Sequence, residues 1–63
     1  MKINIGDVFI TGLGNSVLVV DVRGDGLIKG IYGGETEVRG VGYEEYIRKS
    51  INSGDWKHFP VKK

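Results

Sequence analysis

The sequence contains no cysteine and a single proline among its 63 residues. Without cysteine, neither a disulfide framework nor a thiolate metal site can stabilise the fold. A chain of this length makes one domain, residues 1–63, and a domain of this size buries only about 60% of its unfolded surface. We therefore expect its stability to come from packing, from closing its own sheet edges, or from self-association.

Side chains that carry chemistry are also scarce. His58 is the only histidine, and it could activate only Ser16, Ser50 or Ser53 as a nucleophile. One histidine without cysteine cannot supply a closed transition-metal site. The Gly-Leu-Gly-Asn loop at residues 12–15 precedes a strand rather than a helix, so it indicates a turn and not a phosphate-binding loop. We expect no enzymatic activity, no metal and no cofactor.

Long apolar runs are missing as well. No stretch is long enough to cross a membrane or to form an export signal after Met1. Together with the lack of cysteine, this favours a cytoplasmic protein without a membrane partner. Nine basic and eight acidic side chains give a net charge of +1, which is too little to predict nucleic-acid binding from charge alone.

Eleven glycines, interleaved with valine and isoleucine, are the strongest compositional signal. This pattern predicts short strands joined by tight turns. The predicted strands are residues 5–10, 16–22, 27–32, 36–41 and 55–59. The strand at 16–22 is apolar on both faces, with Leu18, Val20 and Val22 on one and Val17, Val19 and Asp21 on the other. We expect it to be central in the sheet, and the Arg-Gly-Asp-Gly sequence at 23–26 predicts a hairpin turn after it.

Helical periodicity follows the fourth strand. Tyr43, Tyr46, Ile47 and Ile51 are spaced as one apolar stripe on a helix of about ten residues. Acidic residues in its first turn and basic residues further on match the helix dipole. Gly54 predicts the end of the helix.

The order of these elements resembles the Src-homology-3-like family of small barrels. The resemblance is carried by Gly6-Asp7 near the first strand, by a long loop after that strand, and by a helical turn before the last one. It implies a mostly β fold: a five-stranded, partly open barrel with a short helix before the last strand. Residues 10–16 hold neither an aromatic nor an acidic side chain, so proline-rich peptide binding is not implied. The sequence also resembles small accessory proteins of phages and other mobile elements.

Two surfaces are candidates for binding. Tyr32 and Tyr43 would form an aromatic patch if both project outward. Trp56 and Phe59 would form a basic, aromatic edge with neighbouring lysines and arginine, unless both belong to the core, which we favour for Trp56. The candidate partner-binding residues are Tyr32, Tyr43, Arg48, Lys49, Lys57, His58, Lys62 and Lys63.

These features support two hypotheses about function. The first is a non-enzymatic protein-interaction module, a phage-type accessory or inhibitor protein that binds a host protein. The alternative is a nucleic-acid-binding small barrel that uses the basic, aromatic C-terminal edge. A homodimer is compatible with either function.

Overall fold

In the computed structural model, which describes residues 2–62, five antiparallel strands form one sheet and a ten-residue helix precedes the last strand. The elements are β1 Val8–Ile10, β2 Ser16–Val22, β3 Leu27–Tyr32, β4 Arg39–Tyr43, α1 Glu44–Ser53 and β5 Lys57–Phe59. The strands lie in the order β4-β3-β2-β1-β5, so the first and last strands are neighbours. The predicted mostly β fold with a helix before the last strand is confirmed. Within residues 2–62 the sheet is not closed, since β4 and β5 lie at its two edges.

The connections on either side of β2 are built in the same way. After β1, Thr11 N–H donates to the Asn15 carbonyl and Gly14 N–H donates to the Thr11 carbonyl, each over 2.9 Å. Gly14 takes a φ of 86°, and Gly26 takes a φ of 93° at the same place in the turn before β3. Such three-residue turns need a left-handed residue at their end, which glycine adopts without strain. The long loop expected after the first strand is therefore a tight hairpin turn, and β1 to β4 form one continuous meander.

The strands β2 and β3 have the predicted bounds, whereas β1 begins three residues later than predicted. Residues 4–7 form a turn instead, in which Asp7 N–H donates to the Asn4 carbonyl and the Asp7 carboxylate accepts from Asn4 N–H. An aspartate that hydrogen-bonds to nearby backbone in this way favours a turn over a strand. The strands β4 and β5 also begin later than predicted, at Arg39 and Lys57.

A bulge changes the two faces of β2. The strand is central, as predicted, but its pairing shifts between Val19, opposite Gly30, and Asp21, opposite Lys29. The extra residue reverses the alternation of side chains beyond it. Val22 therefore packs against the core together with Val17 and Val19, while Leu18 is 44% exposed on the other face. The predicted sharing of one face by Leu18 and Val22 is wrong for this reason.

The core lies on one face of the sheet. Its buried apolar side chains are Ile3, Phe9, Val17, Val19, Ile28 and Ile47, with Val22, Tyr32, Val41, Ile51 and Trp56 packed around them. The helix contributes Ile47 and Ile51, whereas Tyr43 and Tyr46 of its predicted stripe are exposed. The helix ends before Gly54, as predicted. No helix in the part of the chain described here has the length and apolar character needed to cross a membrane.

Candidate functional site

An open pocket of about 330 Å³ lies between the β1–β2 turn, the end of β3 and the residue that precedes β5. We call it the aromatic pocket, and its lining residues are Thr11, Gly12, Leu13, Asn15, Tyr32 and Trp56. The tight turn places Leu13 at its tip, where 91% of the residue is exposed. A concave apolar surface with a few polar groups is the usual form of a binding site.

Both aromatic rings of the pocket are held by neighbouring residues. The Trp56 ring lies 6.0 Å from the ring of Phe9 and 6.4 Å from that of Tyr46, edge to face in the second case. The Arg39 guanidinium lies 5.1 Å from the centroid of the Tyr32 ring, within the range of a cation–π interaction. Glu35 pairs with Arg39 over 3.1 Å at the surface, and the Tyr32 and Trp56 side chains both pack against the core. The pocket therefore has two positioned aromatic walls.

The polar ends of these two rings are open to solvent. Within residues 2–62, neither the Trp56 indole N–H nor the Tyr32 hydroxyl has a hydrogen-bond partner. No side-chain nitrogen or oxygen in the same range is both buried and unpaired, so these two groups are accessible. An apolar side chain in the pocket would leave them free to bind carbonyl oxygens beside it.

A buried carboxylate joins the two ends of the chain. Asp7 is fully buried; its Oδ2 accepts from Asn4 N–H over 3.0 Å and from His58 Nε2 over 2.8 Å. Its Oδ1 accepts from Val61 N–H over 2.8 Å. Burial by itself raises the pKa of Asp7, but the hydrogen bonds from Asn4, Val61 and His58 together hold that pKa below its ordinary value of 3.8. An ionised carboxylate only accepts hydrogen bonds, so His58 Nε2 carries a hydrogen.

This contact places His58 inside the fold. Its side chain is 7% exposed, and its ring lies 5.1 Å from the ring of Phe9. The sequence suggests His58 as a partner-binding residue. In the structure its contact with Asp7 instead holds β5 against the turn before β1. We therefore leave His58 out of the proposed binding surfaces.

The two candidate tyrosines lie at opposite ends of β3. Tyr32 ends that strand and lines the aromatic pocket, whereas Tyr43 pairs with Leu27 at its start. Tyr43 is 57% exposed but belongs to a separate surface. The patch predicted from the two tyrosines is therefore divided between two places.

The predicted basic, aromatic edge is also divided. Arg48 and Lys49 pair with Glu44 and Glu45 on the surface of α1, over 3.1 Å and 3.9 Å respectively. Trp56 packs against the core, while Phe59 is 54% exposed on the other face of the sheet. Lys57 and Lys62 are exposed, and Lys63 lies outside the described residues. The pairing of a tip leucine with Tyr32 and Trp56 was not predicted; a leucine between two turn glycines was its one signal in the sequence.

Comparisons with protein-family models, with curated proteins and with solved structures find no match for this chain. Among residues 2–62, no three or more histidine, cysteine, aspartate or glutamate side chains are grouped as a metal site would require.

Proposed function

We propose that the protein is a non-enzymatic protein-interaction module whose aromatic pocket receives an apolar side chain of a partner protein. The observation that carries this proposal is the combination of two fixed aromatic rings with Leu13, which is 91% exposed beside them. Removing apolar surface from water contributes about 25 cal/mol for each Å², from which the entropy cost of association is subtracted. Positioned aromatic side chains also lose little entropy on binding, which is why they are frequent at the centre of interfaces.

The placement of the titratable side chains supports binding rather than catalysis. The single histidine is engaged with Asp7 in the interior, and the carboxylates of Glu35 and Glu44 pair with arginines on the surface. Of residues 2–62, no histidine, carboxylate or lysine lines the pocket. General acid–base chemistry needs such a group within reach of the reacting atoms.

We also propose a fold family and a biological role for the protein. The strand order β4-β3-β2-β1-β5, with a helix before β5, supports a partly open barrel of the Src-homology-3-like kind. The short turn after β1 departs from that layout. We further propose that the module acts in the cytoplasm as a phage-type accessory or inhibitor protein that binds a host protein.

The pocket is tested with peptides selected from a random display library on the intact protein. Trp56 is the only tryptophan, so a shift of its fluorescence reports occupation of the pocket directly. We expect selected peptides to shift this emission and to bind the Leu13→Ser variant at least about tenfold more weakly, because a tenfold change needs only about 1.4 kcal/mol. Val38→Ser is the matched control, since Val38 is an exposed apolar residue outside the pocket. Equal losses in both variants, or unchanged emission, would contradict the proposal.

The host partner is tested by affinity capture from a bacterial lysate with the same two variants. A protein retained by the wild type and by Val38→Ser, but not by Leu13→Ser, is the expected result. Retention that does not depend on Leu13 would place the partner on another surface.

A further inference from the structure

Four apolar side chains form a continuous row across the sheet face that points away from the core. The register places Phe59 of β5 beside Val8 of β1, and Val8 beside Leu18 of β2. Leu18 in turn lies beside Ile31 of β3. Side chains paired in register lie on the same face of a sheet, so these four are neighbours. We call them the open-face row.

The open-face row is accessible and lies apart from the aromatic pocket. Phe59 is 54% and Leu18 is 44% exposed, so no element of residues 2–62 covers them. Val8 and Ile31 are half-buried between their neighbours, and none of the four lines the pocket. Contiguous apolar side chains on the surface of a small domain mark an interaction site more often than scattered ones do.

Two lysines lie on the same face of the sheet, one on each side of the row. Lys57 precedes Phe59 by two residues and pairs with Ile10, and Lys29 precedes Ile31 by two residues and pairs with Asp21. Neither lysine makes an ion pair within residues 2–62. The row is therefore apolar along its length, with an excess of positive charge at its flanks.

We propose that the open-face row binds a partner protein through a segment with an apolar centre and carboxylates at its two ends. The apolar side chains cover Phe59 and Leu18, and the carboxylates meet Lys29 and Lys57. Complementary charge around an apolar centre gives such contacts their specificity and raises their association rate. This surface goes beyond the pocket and binds independently of it.

The charges argue against a second copy of the chain as the occupant. Two copies stacked on their open faces would bring four lysines together, Lys29 and Lys57 of each copy. Only two aspartates, Asp21 of each copy, would lie among them. Like charges placed face to face disfavour association. Addition of a strand at the β5 edge is disfavoured as well, because β5 has three residues and Pro60, which follows it, has no N–H to donate. A partner that lies across the face avoids both problems.

The test uses two synthetic peptides of equal length with the same central stretch of leucines, one ending in glutamates on both sides and the other ending in lysines. Each is titrated into the ¹⁵N-labelled full chain, and amide chemical shifts are followed. We expect the glutamate peptide to shift the amides around Val8, Leu18 and Phe59 and to bind at least about tenfold more tightly than the lysine peptide. Leu18→Ser should abolish the shifts, whereas Val38→Ser should leave them unchanged.

A charge reversal provides the second variant. In the double variant Lys29→Glu, Lys57→Glu we expect the preference to change in favour of the lysine peptide. Equal affinity for both peptides, shifts confined to Leu13 and Trp56, or dimers in sedimentation that Leu18→Ser dissociates would each overturn the proposal. Leu13→Ser should leave the titration unchanged, so failure here is distinguishable from failure of the aromatic pocket.

Discussion

The buried carboxylate of Asp7 accepts three hydrogen bonds that connect the two ends of the chain. It is fully buried and accepts hydrogen bonds from Asn4, His58 and Val61, at 2.8 to 3.0 Å. A buried carboxylate is stable only when its oxygens are satisfied in this way. Because the three donors come from both ends of the chain, one side chain fixes the first turn and the last strand together.

We predict that Asp7→Asn destabilises the protein strongly although it preserves the shape of the side chain. Both carboxylate oxygens accept backbone N–H groups, so the amide nitrogen of asparagine would face a donor whichever way it is turned. Leaving such donors unpaired costs about 1–3 kcal/mol each. A domain of 63 residues has a total stability on the order of 3–9 kcal/mol. Urea unfolding followed by Trp56 fluorescence measures the loss.

The control for this prediction is Asp21→Asn, which changes an exposed aspartate on β2. We expect its free energy of unfolding to stay within about 0.5 kcal/mol of the wild type. An Asp7→Asn variant as stable as Asp21→Asn would show that the three hydrogen bonds contribute little.

The pairing of β3 with β2 and β4 depends on a close approach at Gly30. A Cβ atom at this position would lie 2.6 Å from the Leu18 carbonyl oxygen and 2.8 Å from a methyl group of Val17. The Val41 side chain would be 3.2 Å away on the other side. The carbonyl belongs to the backbone of the central strand and cannot move without disturbing the sheet. Glycine is therefore required here by space.

We predict that Gly30→Ala destabilises the protein by about 1–3 kcal/mol, the usual cost of forcing extra volume into a packed interior. Gly40→Ala in β4 is the matched control, because a Cβ there meets no atom within 4 Å and the backbone is not left-handed. That variant should be neutral or stabilised by about 0.4–1 kcal/mol, since alanine restricts the unfolded chain. Thermal unfolding of the two variants side by side checks both signs. Equal melting temperatures would contradict the argument from space.

Local sequence patterns predict where the strands and the helix of this protein lie better than they predict which side chains face the core. The bounds of β2 and β3 follow from β-branched residues between turn glycines, and the end of α1 follows from Gly54. The bulge after Val19 could not be predicted, because strict alternation fits the sequence of β2 equally well. The placement of Leu18 and Val22 on opposite faces depends on that bulge.

The contacts between distant residues are what the sequence leaves open. Asp7 and His58 are 51 residues apart, and neither residue type at its position indicates the other. The aromatic pocket likewise combines a turn near residue 13 with single residues of β3 and of the segment before β5. Such groupings follow from the strand order, which places β5 beside β1.

The two proposed binding surfaces use different parts of one sheet. The aromatic pocket lies at the ends of strands, while the open-face row runs across four of them. Both surfaces depend on the position of β5. Trp56, which lines the pocket, directly precedes β5, and Phe59, the first residue of the row, is part of it. Any change that detaches β5 should therefore weaken both surfaces at once. The contact between Asp7, His58 and Val61 holds β5 in place together with its backbone pairing to β1.

Acid should act on the protein through this same contact. The pKa of Asp7 is lowered in the folded state, so its ionised form contributes stability at pH values above 3.8, the ordinary pKa of the unfolded chain. That contribution is lost as the pH falls through the lower pKa of the folded state. We predict that the difference in free energy of unfolding between the wild type and Asp7→Asn narrows steadily as the pH falls from about 5 to about 2. Urea unfolding of both proteins between about pH 5 and pH 2 measures it, and exposed carboxylates cancel because both proteins contain them. A difference that stays constant down to pH 2 would mean that Asp7 is not held ionised by its three donors.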